Sequence, residues 1–182
     1  MIQSLRATRT FQTSLAWPAL QVMMGTLLLA LLAQVKIPLF FTPVPVSLQT
    51  FAAMGLGVCL GRTKGALSAA GYLALIVAGF PVIAGGIINQ AALSGPTAGY
   101  LIGMVVQAAL FGEIASRSLG FAATLLGFAL ASCLQLAMGT LWLGTFVGFE
   151  NSFHMGMLPF LSGEGVKILA IALFCKKEIF RA

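Results

Sequence analysis

The sequence contains no aspartate, and its acidic residues are four glutamates among 182 residues. It has one histidine and three cysteines, Cys59, Cys133 and Cys175, which show no C-x-x-C spacing. Such a supply leaves little from which to build a metal site, a disulfide framework or a carboxylate-driven catalytic centre. We therefore predict that the chain is not an enzyme, with no catalytic residue, no metal and no cofactor.

Charge of either sign is also scarce, because only 8% of the residues are charged while 59% are apolar. In soluble domains about a quarter of the residues are charged. This composition predicts an integral membrane protein whose main surroundings are the lipid bilayer. The net charge of +6 does not indicate a nucleic-acid partner, because the basic residues are scattered between apolar segments as in membrane proteins.

The intervals between charged residues allow the membrane crossings to be counted. A helix needs about 20 mostly apolar residues to cross the hydrocarbon core. We predict an all-α fold of six transmembrane helices in a single domain covering residues 1–182. The predicted helices lie near 14–34, 46–60, 65–79, 99–115, 121–147 and 159–175. The first apolar run is too long for a cleaved signal peptide, so we expect it to remain as helix 1.

The basic residues fall almost entirely on one side of these helices, which predicts that side to be cytoplasmic. The residues on that side are Arg6, Arg9, Arg62, Lys64, Arg117, Lys176, Lys177 and Arg181. The other side receives Lys36, together with Glu150 and the single histidine, His154. The result is an N-in, C-in topology in the cytoplasmic (inner) membrane of a bacterium.

Three connections on the outer side, 36–51, 80–100 and 148–160, contain most of the prolines and many glycines but stay apolar. Ordinary solvated loops are polar, whereas irregular backbone at membrane depth is tolerated where it is buried or lines a cavity. We predict that these connections form a ligand pocket.

Glu164 and Lys167 stand three residues apart in the last predicted helix, in SGEGVKI, and therefore share one helix face. Ionisable residues at membrane depth usually have a function. The alternative is a structural ion pair that fixes helix packing. The flanking glycines, Gly163 and Gly165, favour a site because they weaken the helix and allow a ligand or backbone to approach closely.

Other polar residues have a competing local explanation. Asn89, Gln90, Thr97 and Tyr100 supply donors and acceptors to a ligand, or they cap loops and form turns. The glycine-rich segments do not match G-x-x-x-x-G-K-[ST], so no ATP site is predicted. His154 is interpreted as an interfacial loop histidine, and Glu113–Arg117 as a solvated pair at a helix end.

Three segments together, PVPVSLQTFAAMGLGVCLGRTKGALSAAGYLALIVAGFPVIAGG, GPTAGYLIGM and FLSGEGVKILAIAL, resemble the BioY family. These proteins are the biotin-specific substrate-binding (S) components of energy-coupling factor (ECF) transporters. The likeness runs from about residue 36 to the C-terminus. The chain departs from the family pattern at Ala98, where glycine is usual, and at Glu164, where aspartate is usual. Helix 1 has Ala16 with Leu20 and Ala19 with Met23 instead of Ala-xxx-Ala.

The resemblance implies high-affinity biotin binding and uptake, with biotin as transported ligand and an ECF transmembrane coupling protein and ATPase subunits as partners. It implies that Glu164 accepts the ureido N–H groups of biotin and that Lys167 donates to the ureido oxygen. Donors for the valerate carboxylate would be Lys36, Thr97, Tyr100 and glycine amides. The full set of predicted ligand-binding residues is Glu164, Lys167, Gln49, Gly85, Gly86, Asn89, Gln90, Thr97, Tyr100 and Lys36.

Three alternatives stay open at the level of sequence. The chain is an S component for another small vitamin or carboxylate, a membrane enzyme that uses Glu164, Lys167 and His154 as acid and base, or a structural membrane subunit without a ligand.

Overall fold

The structure, a computed structural model, describes residues 2–37, 40, 43–44, 46–83, 88, 90–117 and 119–179, without the side chains of 2–15, 37, 46 and 176–179. Within these residues the fold is helical. The helices are α1 (Ile2–Ala33), α2 (Gln49–Val77), α3 (Ala98–Ser116), α4 (Phe121–Val147), α5 (Phe149–Gly156) and α6 (Leu158–Ile179). Two short strands, β1 (Lys36–Ile37) and β2 (Val46–Ser47), pair antiparallel, and a 3₁₀ turn covers Gln90–Leu93.

Helix α2 folds back on itself at Gly61. The backbone of Gly61 is not helical, with φ of 81° and ψ of 172°. A Cβ added to Gly65 would lie 2.7 Å from the Cα of Gly57, whereas residues eight positions apart in a continuous helix are separated by roughly 12 Å. The two arms of α2 therefore pack against each other, and they correspond to the helices predicted at 46–60 and 65–79.

The helices have the length and composition of a multi-pass membrane protein. Among the described residues, four segments are long and apolar enough to cross a bilayer: Ala16–Ala33, Ala98–Ser116, Phe121–Val147 and Phe149–Cys175. Large apolar side chains on their outer faces are exposed, including Leu31 at 68%, Leu130 at 63% and Val166 at 71%. Because lipid is the favourable surrounding for such faces, the prediction of an integral membrane protein is confirmed.

Small residues set the distance between neighbouring helices. Where α3 meets α4, a Cβ on Gly99 would lie 2.6 Å from the Met138 carbonyl oxygen, and Gly139 lies against the ring of Tyr100. Where α1 meets α2, the Thr26 hydroxyl donates to the Ser68 carbonyl at 2.9 Å. Close backbone approach through glycine and interhelical hydrogen bonds are the usual means of helix association in lipid.

Helix α1 begins at Ile2 and so extends beyond the crossing predicted near 14–34, because counting apolar residues does not detect a helical extension that contains Arg6 and Arg9. Its apolar part, Ala16–Ala33, matches that crossing. One predicted connection was wrong. The connection 148–160 is not irregular, since α5 occupies most of it. Gly148, with φ of 83°, ends α4 and turns the chain into α5.

Candidate functional site

Glu164 and Lys167 form a buried ion pair near the start of α6. The Lys167 Nζ lies 2.8 Å from the Glu164 Oε1, and the two side chains are only 13% and 5% exposed. The three-residue spacing therefore places both groups on one helix face, as predicted from the sequence.

The beginning of α2 and the end of β2 complete the surroundings of the ammonium group. Lys167 donates to the Thr50 hydroxyl at 2.7 Å and to the Ser47 carbonyl at 3.1 Å, in addition to Glu164. The Thr50 hydroxyl in turn donates to the Glu164 Oε1 at 2.8 Å. An ammonium group has three protons, so all the donors of Lys167 already have acceptors inside the protein.

Glu164 and Gln49, the residue before Thr50, each carry a buried polar atom that lacks a partner among the described residues. These atoms are the Glu164 Oε2 and the Gln49 Nε2. The first is a carboxylate acceptor and the second is an amide donor. Leaving a polar group buried and unpaired costs about 1–3 kcal/mol. A ligand that brings both a donor and an acceptor would remove that cost.

The short β ladder holds the backbone that leads into α2. Lys36 pairs with Ser47, and the Leu48 amide donates to the Val35 carbonyl at 3.2 Å. The backbone N–H of Gln49 also donates to the Ser47 hydroxyl at 3.3 Å. Residues directly opposite in an antiparallel pair share a face of the ladder. The ladder therefore places Lys36, which is half-buried, beside the residue whose carbonyl accepts from Lys167.

Tyr100 is buried and links α3 to the helices around it. Its hydroxyl donates to the Gly156 carbonyl at 2.8 Å and lies 3.3 Å from the Thr140 hydroxyl, and its ring centroid is 6.2 Å from that of Phe160. The hydroxyl proton is thus used inside the protein. The predicted donation from Tyr100 to a ligand carboxylate stays a prediction, and it requires that this bond break.

The remaining predicted residues are less closely joined to the ion pair. Gln90 is exposed, and its amide donates to the carbonyl of Val77 at the end of α2 at 3.4 Å. Thr97 stands at the N-cap of α3 without a side-chain cap bond, so its hydroxyl is not used there. Gly85, Gly86 and Asn89 lie outside the described residues.

The glycines that flank Glu164 do not mark a close backbone contact. A Cβ added to Gly163 or Gly165 would meet no atom within 4 Å. Of the two alternatives predicted for these glycines, close approach of a ligand or of backbone, the described part of the chain brings no backbone near them, and the approach of a ligand stays a prediction. In the sequence, a glycine beside a binding site looks the same as a glycine that close packing requires.

The other candidate groups stand apart from the pair. His154 is exposed on α5, where its ring meets the edge of Phe153 at 5.8 Å between centroids. The described residues contain no group of three metal-ligating side chains. Glu113 contacts Arg117 at 2.8 Å and Arg62 at 3.4 Å, and all three are exposed or partly exposed. The prediction of a solvated pair at the end of α3 is confirmed.

Sequence reasoning missed Ser47 and Thr50. Both are short hydroxyl residues in the segment SLQT before and within the first turn of α2. Such residues often cap helices or form turns, so their type alone does not indicate a contact with α6. Their only sequence signal is that they stand as polar residues within an otherwise apolar segment.

The chain is similar in sequence to several proteins that are named biotin transporter BioY. Biotin transporter BioY of Rhizobium etli is 31% identical over 85% of this chain and 88% of its own length. The biotin transporter BioY of Thermotoga maritima is 32% identical over 81% of this chain and 87% of its own. That of Rhodobacter capsulatus is 33% identical, with coverages of 82% and 90%.

The fold has a counterpart among solved structures. The S-component for biotin from an ECF-type ABC transporter superposes with a TM-score of 0.79 over 91% of this chain and 92% of its own, at 24% identity. At that identity the likeness concerns the fold alone. The sequence profile of the BioY family matches residues 6–181. On this match and the identities of its relatives, the chain belongs to the BioY family.

Proposed function

We propose that this protein is the substrate-binding component for biotin of an ECF-type transporter, which binds biotin between α6 and the start of α2. The observation that carries the proposal is the pair of unpartnered buried atoms, the Glu164 Oε2 and the Gln49 Nε2, beside a satisfied ammonium group. The names of the relatives and the fold of the biotin S-component support it.

The ureido ring of biotin matches these two atoms in chemical type. It carries two N–H donors beside one carbonyl acceptor, so an N–H donates to the Glu164 Oε2 and the carbonyl accepts from the Gln49 Nε2. For Lys167 we propose a role other than the one that the resemblance implied. Its protons already go to Glu164, Thr50 and Ser47, so Lys167 acts by holding the carboxylate in place.

The valerate carboxylate needs a cation or donors away from the ureido ring. Lys36 stays proposed for this role on the resemblance alone, because the ladder sets it opposite Ser47, at the ureido end of the proposed site. Thr97 has a hydroxyl that is not used for capping. Gly85, Gly86 and Asn89 remain proposed on the resemblance.

Ligand retention tests the proposal directly. The purified protein should release biotin when denatured, as seen by mass spectrometry. In competition assays desthiobiotin, which keeps the ureido ring, should displace biotin, whereas lipoate, which keeps the acid chain but has no ureido group, should not. Equal competition by lipoate, or retention of a different vitamin, would remove the ureido assignment and favour an S component for another small carboxylate.

We further propose six crossings with both termini in the cytoplasm of a bacterial cell, the two arms of α2 serving as short crossings. The support is the predominance of Lys and Arg at the ends that include Arg62, Lys64 and Arg117. Single cysteines at residues 64 and 88 in a cysteine-free background test this arrangement. An impermeant reagent should label residue 88 and not residue 64 in intact cells; the reverse pattern contradicts the orientation.

The energy for uptake is proposed to come from partner chains, a transmembrane coupling protein and ATPase subunits. The sequence has no G-x-x-x-x-G-K-[ST] loop and no aspartate to hold Mg²⁺ at a nucleotide. Reconstitution of this chain alone in liposomes should give binding without uphill accumulation. Sustained accumulation of biotin by the single chain would refute the dependence on partners.

A further inference from the structure

A second cleft, of about 370 Å³, opens at the end of the bundle that carries the fold-back of α2. Its walls come from α2, the end of α3 and the end of α6, and they include Val58, Ala115 and Phe174. Along α6 the cleft lies roughly 16 Å from Glu164, at 1.5 Å per residue. It is therefore separate from the proposed biotin site, and its volume is within the range of about 300–1,000 Å³ of small-ligand sites.

Close packing of α3 on the fold-back of α2 holds the rim of this cleft together. A Cβ on Gly112 would lie 2.6 Å from the Gly61 carbonyl carbon, so the two backbones touch. Gly61 and Ser116 line the cleft, and each is followed directly by an arginine, Arg62 and Arg117. Both arginine side chains thus begin at the rim.

Among the described side chains, the rim carries one uncompensated positive charge. The side chains of Arg62 and Arg117 are 68% and 62% exposed, and both contact the same carboxylate, Glu113, at 3.4 Å and 2.8 Å. One carboxylate neutralises only one of the two guanidinium groups. Guanidinium groups bind phosphate oxygens with two parallel hydrogen bonds.

The walls of the cleft are suited to hydrocarbon. Phe174 is 48% exposed on the outside of the bundle, where lipid surrounds a membrane protein. An apolar cleft that is open to lipid and has a positive rim at its end has the chemistry of a phospholipid site. The acyl chain would lie in the cleft and the phosphate at the rim. Basic pockets between transmembrane helices are known to bind anionic headgroups.

We propose that this cleft binds one anionic phospholipid, with its phosphate on Arg62 and Arg117 and one acyl chain between Ala115 and Phe174. The proposal is independent of the biotin site, because none of these residues belongs to it.

The full-length protein in nanodiscs of equal phosphatidylglycerol and phosphatidylcholine tests the proposal. Lipids that stay with the protein after extraction are measured by native mass spectrometry. For one net charge at the rim we expect about fivefold enrichment of phosphatidylglycerol. Arg62→Gln and Arg117→Gln, each alone, leave Glu113 with one partner and should bring the ratio close to one.

Lys64→Gln is the matched control. Lys64 stands in the same turn as Arg62 and carries the same charge, but its Nζ donates to the Gln21 Oε1 of α1 at 2.8 Å. This variant should keep the enrichment. If the ratio falls equally in Lys64→Gln and Arg62→Gln, the cations attract anionic lipid only through the overall surface charge, and there is no specific site. If the ratio is unchanged in both arginine variants, the arginines do not bind the lipid, and the proposal is also wrong.

Ala115→Leu tests the acyl chain, because it fills the cleft and keeps every charge. It should lower the retention of both lipids and abolish the enrichment of phosphatidylglycerol. Unchanged retention of lipid by Ala115→Leu would overturn the proposal. If the variant kept its lipid but no longer assembled with the ATPase partners, the cleft would be a contact surface for a protein partner. Inorganic phosphate should not displace the lipid; displacement would show that the headgroup alone is bound.

Discussion

Two glutamate–cation pairs of similar spacing lie at opposite ends of this bundle. Glu113 and Arg117 are four residues apart on α3, and Glu164 and Lys167 are three apart on α6; in both pairs the nitrogen and oxygen are 2.8 Å apart. The first pair has side chains 31% and 62% exposed, whereas those of the second are 5% and 13% exposed. The N–O distance is thus the same and the spacing differs by one residue, whereas the exposure of the two pairs differs greatly.

The difference in exposure indicates which pair is suited to the proposed biotin site. Around Glu113 a second arginine adds to the pair, and the exposed groups are screened by solvent, so little depends on any one contact. Around Glu164 the side chains are shielded from solvent, and each charge needs protein partners. Lys167 has them all, but Glu164 keeps one oxygen without a partner. In the proposed site, biotin completes the incomplete shell of the buried pair.

The largest effect is expected from Glu164→Gln. The variant keeps the shape but leaves the ammonium of Lys167 buried without its countercharge and replaces an acceptor by a donor. We expect a loss of roughly 2–5 kcal/mol in biotin binding, or about 30- to several-thousand-fold in affinity, measured by isothermal titration. Glu164→Asp keeps the charge and should lose far less.

The same titration decides between ligand contact and packing for Glu164 and Lys167. Lys167→Met, which keeps much of the stem and removes the donor, should also weaken binding strongly because Glu164 is no longer held. If Glu164→Gln and Lys167→Met bound biotin like the parent but melted at clearly lower temperature, the pair would be structural and the two ends of the bundle would not differ in function.

A smaller effect is expected from Thr50→Val, which keeps the shape of the side chain and removes its hydroxyl. Thr50 accepts from Lys167 and donates to Glu164, so both lose a partner. One unpaired buried group costs about 1–3 kcal/mol, and we expect about 5- to 150-fold weaker biotin binding. Thr50→Ser keeps the hydroxyl and should restore most of the affinity. Failure of Thr50→Ser to do so would show that the methyl group, and not the hydroxyl, matters.

Gln49→Met should separate binding from stability. The Gln49 Nε2 is buried without a partner among the described residues, so an apolar side chain of similar length removes an unsatisfied group. We expect the ligand-free protein to melt at the same or a higher temperature, while biotin binding weakens about 2- to 12-fold, the worth of one hydrogen bond. A lower melting temperature with unchanged affinity would assign Gln49 to the fold instead of the ligand.

The ion pair itself could be predicted from the sequence because charge is so rare there. Glu164 and Lys167 stand out within a predicted helix, and helix periodicity alone puts them on one face. Thr50 and Ser47 could not be found in this way, because their contacts join α6 to residues more than a hundred positions away. Nor does the sequence show that Lys167 has no proton left for a ligand, which depends on where three separate acceptors lie.

The fold shows a similar division between local and distant information. Apolar length predicted the helices α3, α4 and α6 well, since each is a continuous apolar run bounded by polar or turn residues. The two arms of α2 match the helices predicted near 46–60 and 65–79, because Arg62 and Lys64 interrupt the apolar run there; the close contact of Gly57 with Gly65 that packs the arms together is not visible in any local pattern. Helix α5 was missed because a short helix with Phe, His and Met has the composition of an interfacial loop.

The smallest effect is expected at the opposite end of the bundle, from Glu113→Gln. The carboxylate meets both Arg62 and Arg117, so removing it frees two guanidinium groups; these stay solvated and need no replacement partner. We expect biotin affinity and melting temperature to match the parent, and we expect the equality to hold at low and high salt. Glu164→Gln, measured in parallel, makes the same chemical change in buried surroundings. If Glu113→Gln also weakened biotin binding, the two ends would be energetically coupled, and the difference in exposure would not be enough to assign biotin to the Glu164–Lys167 end alone.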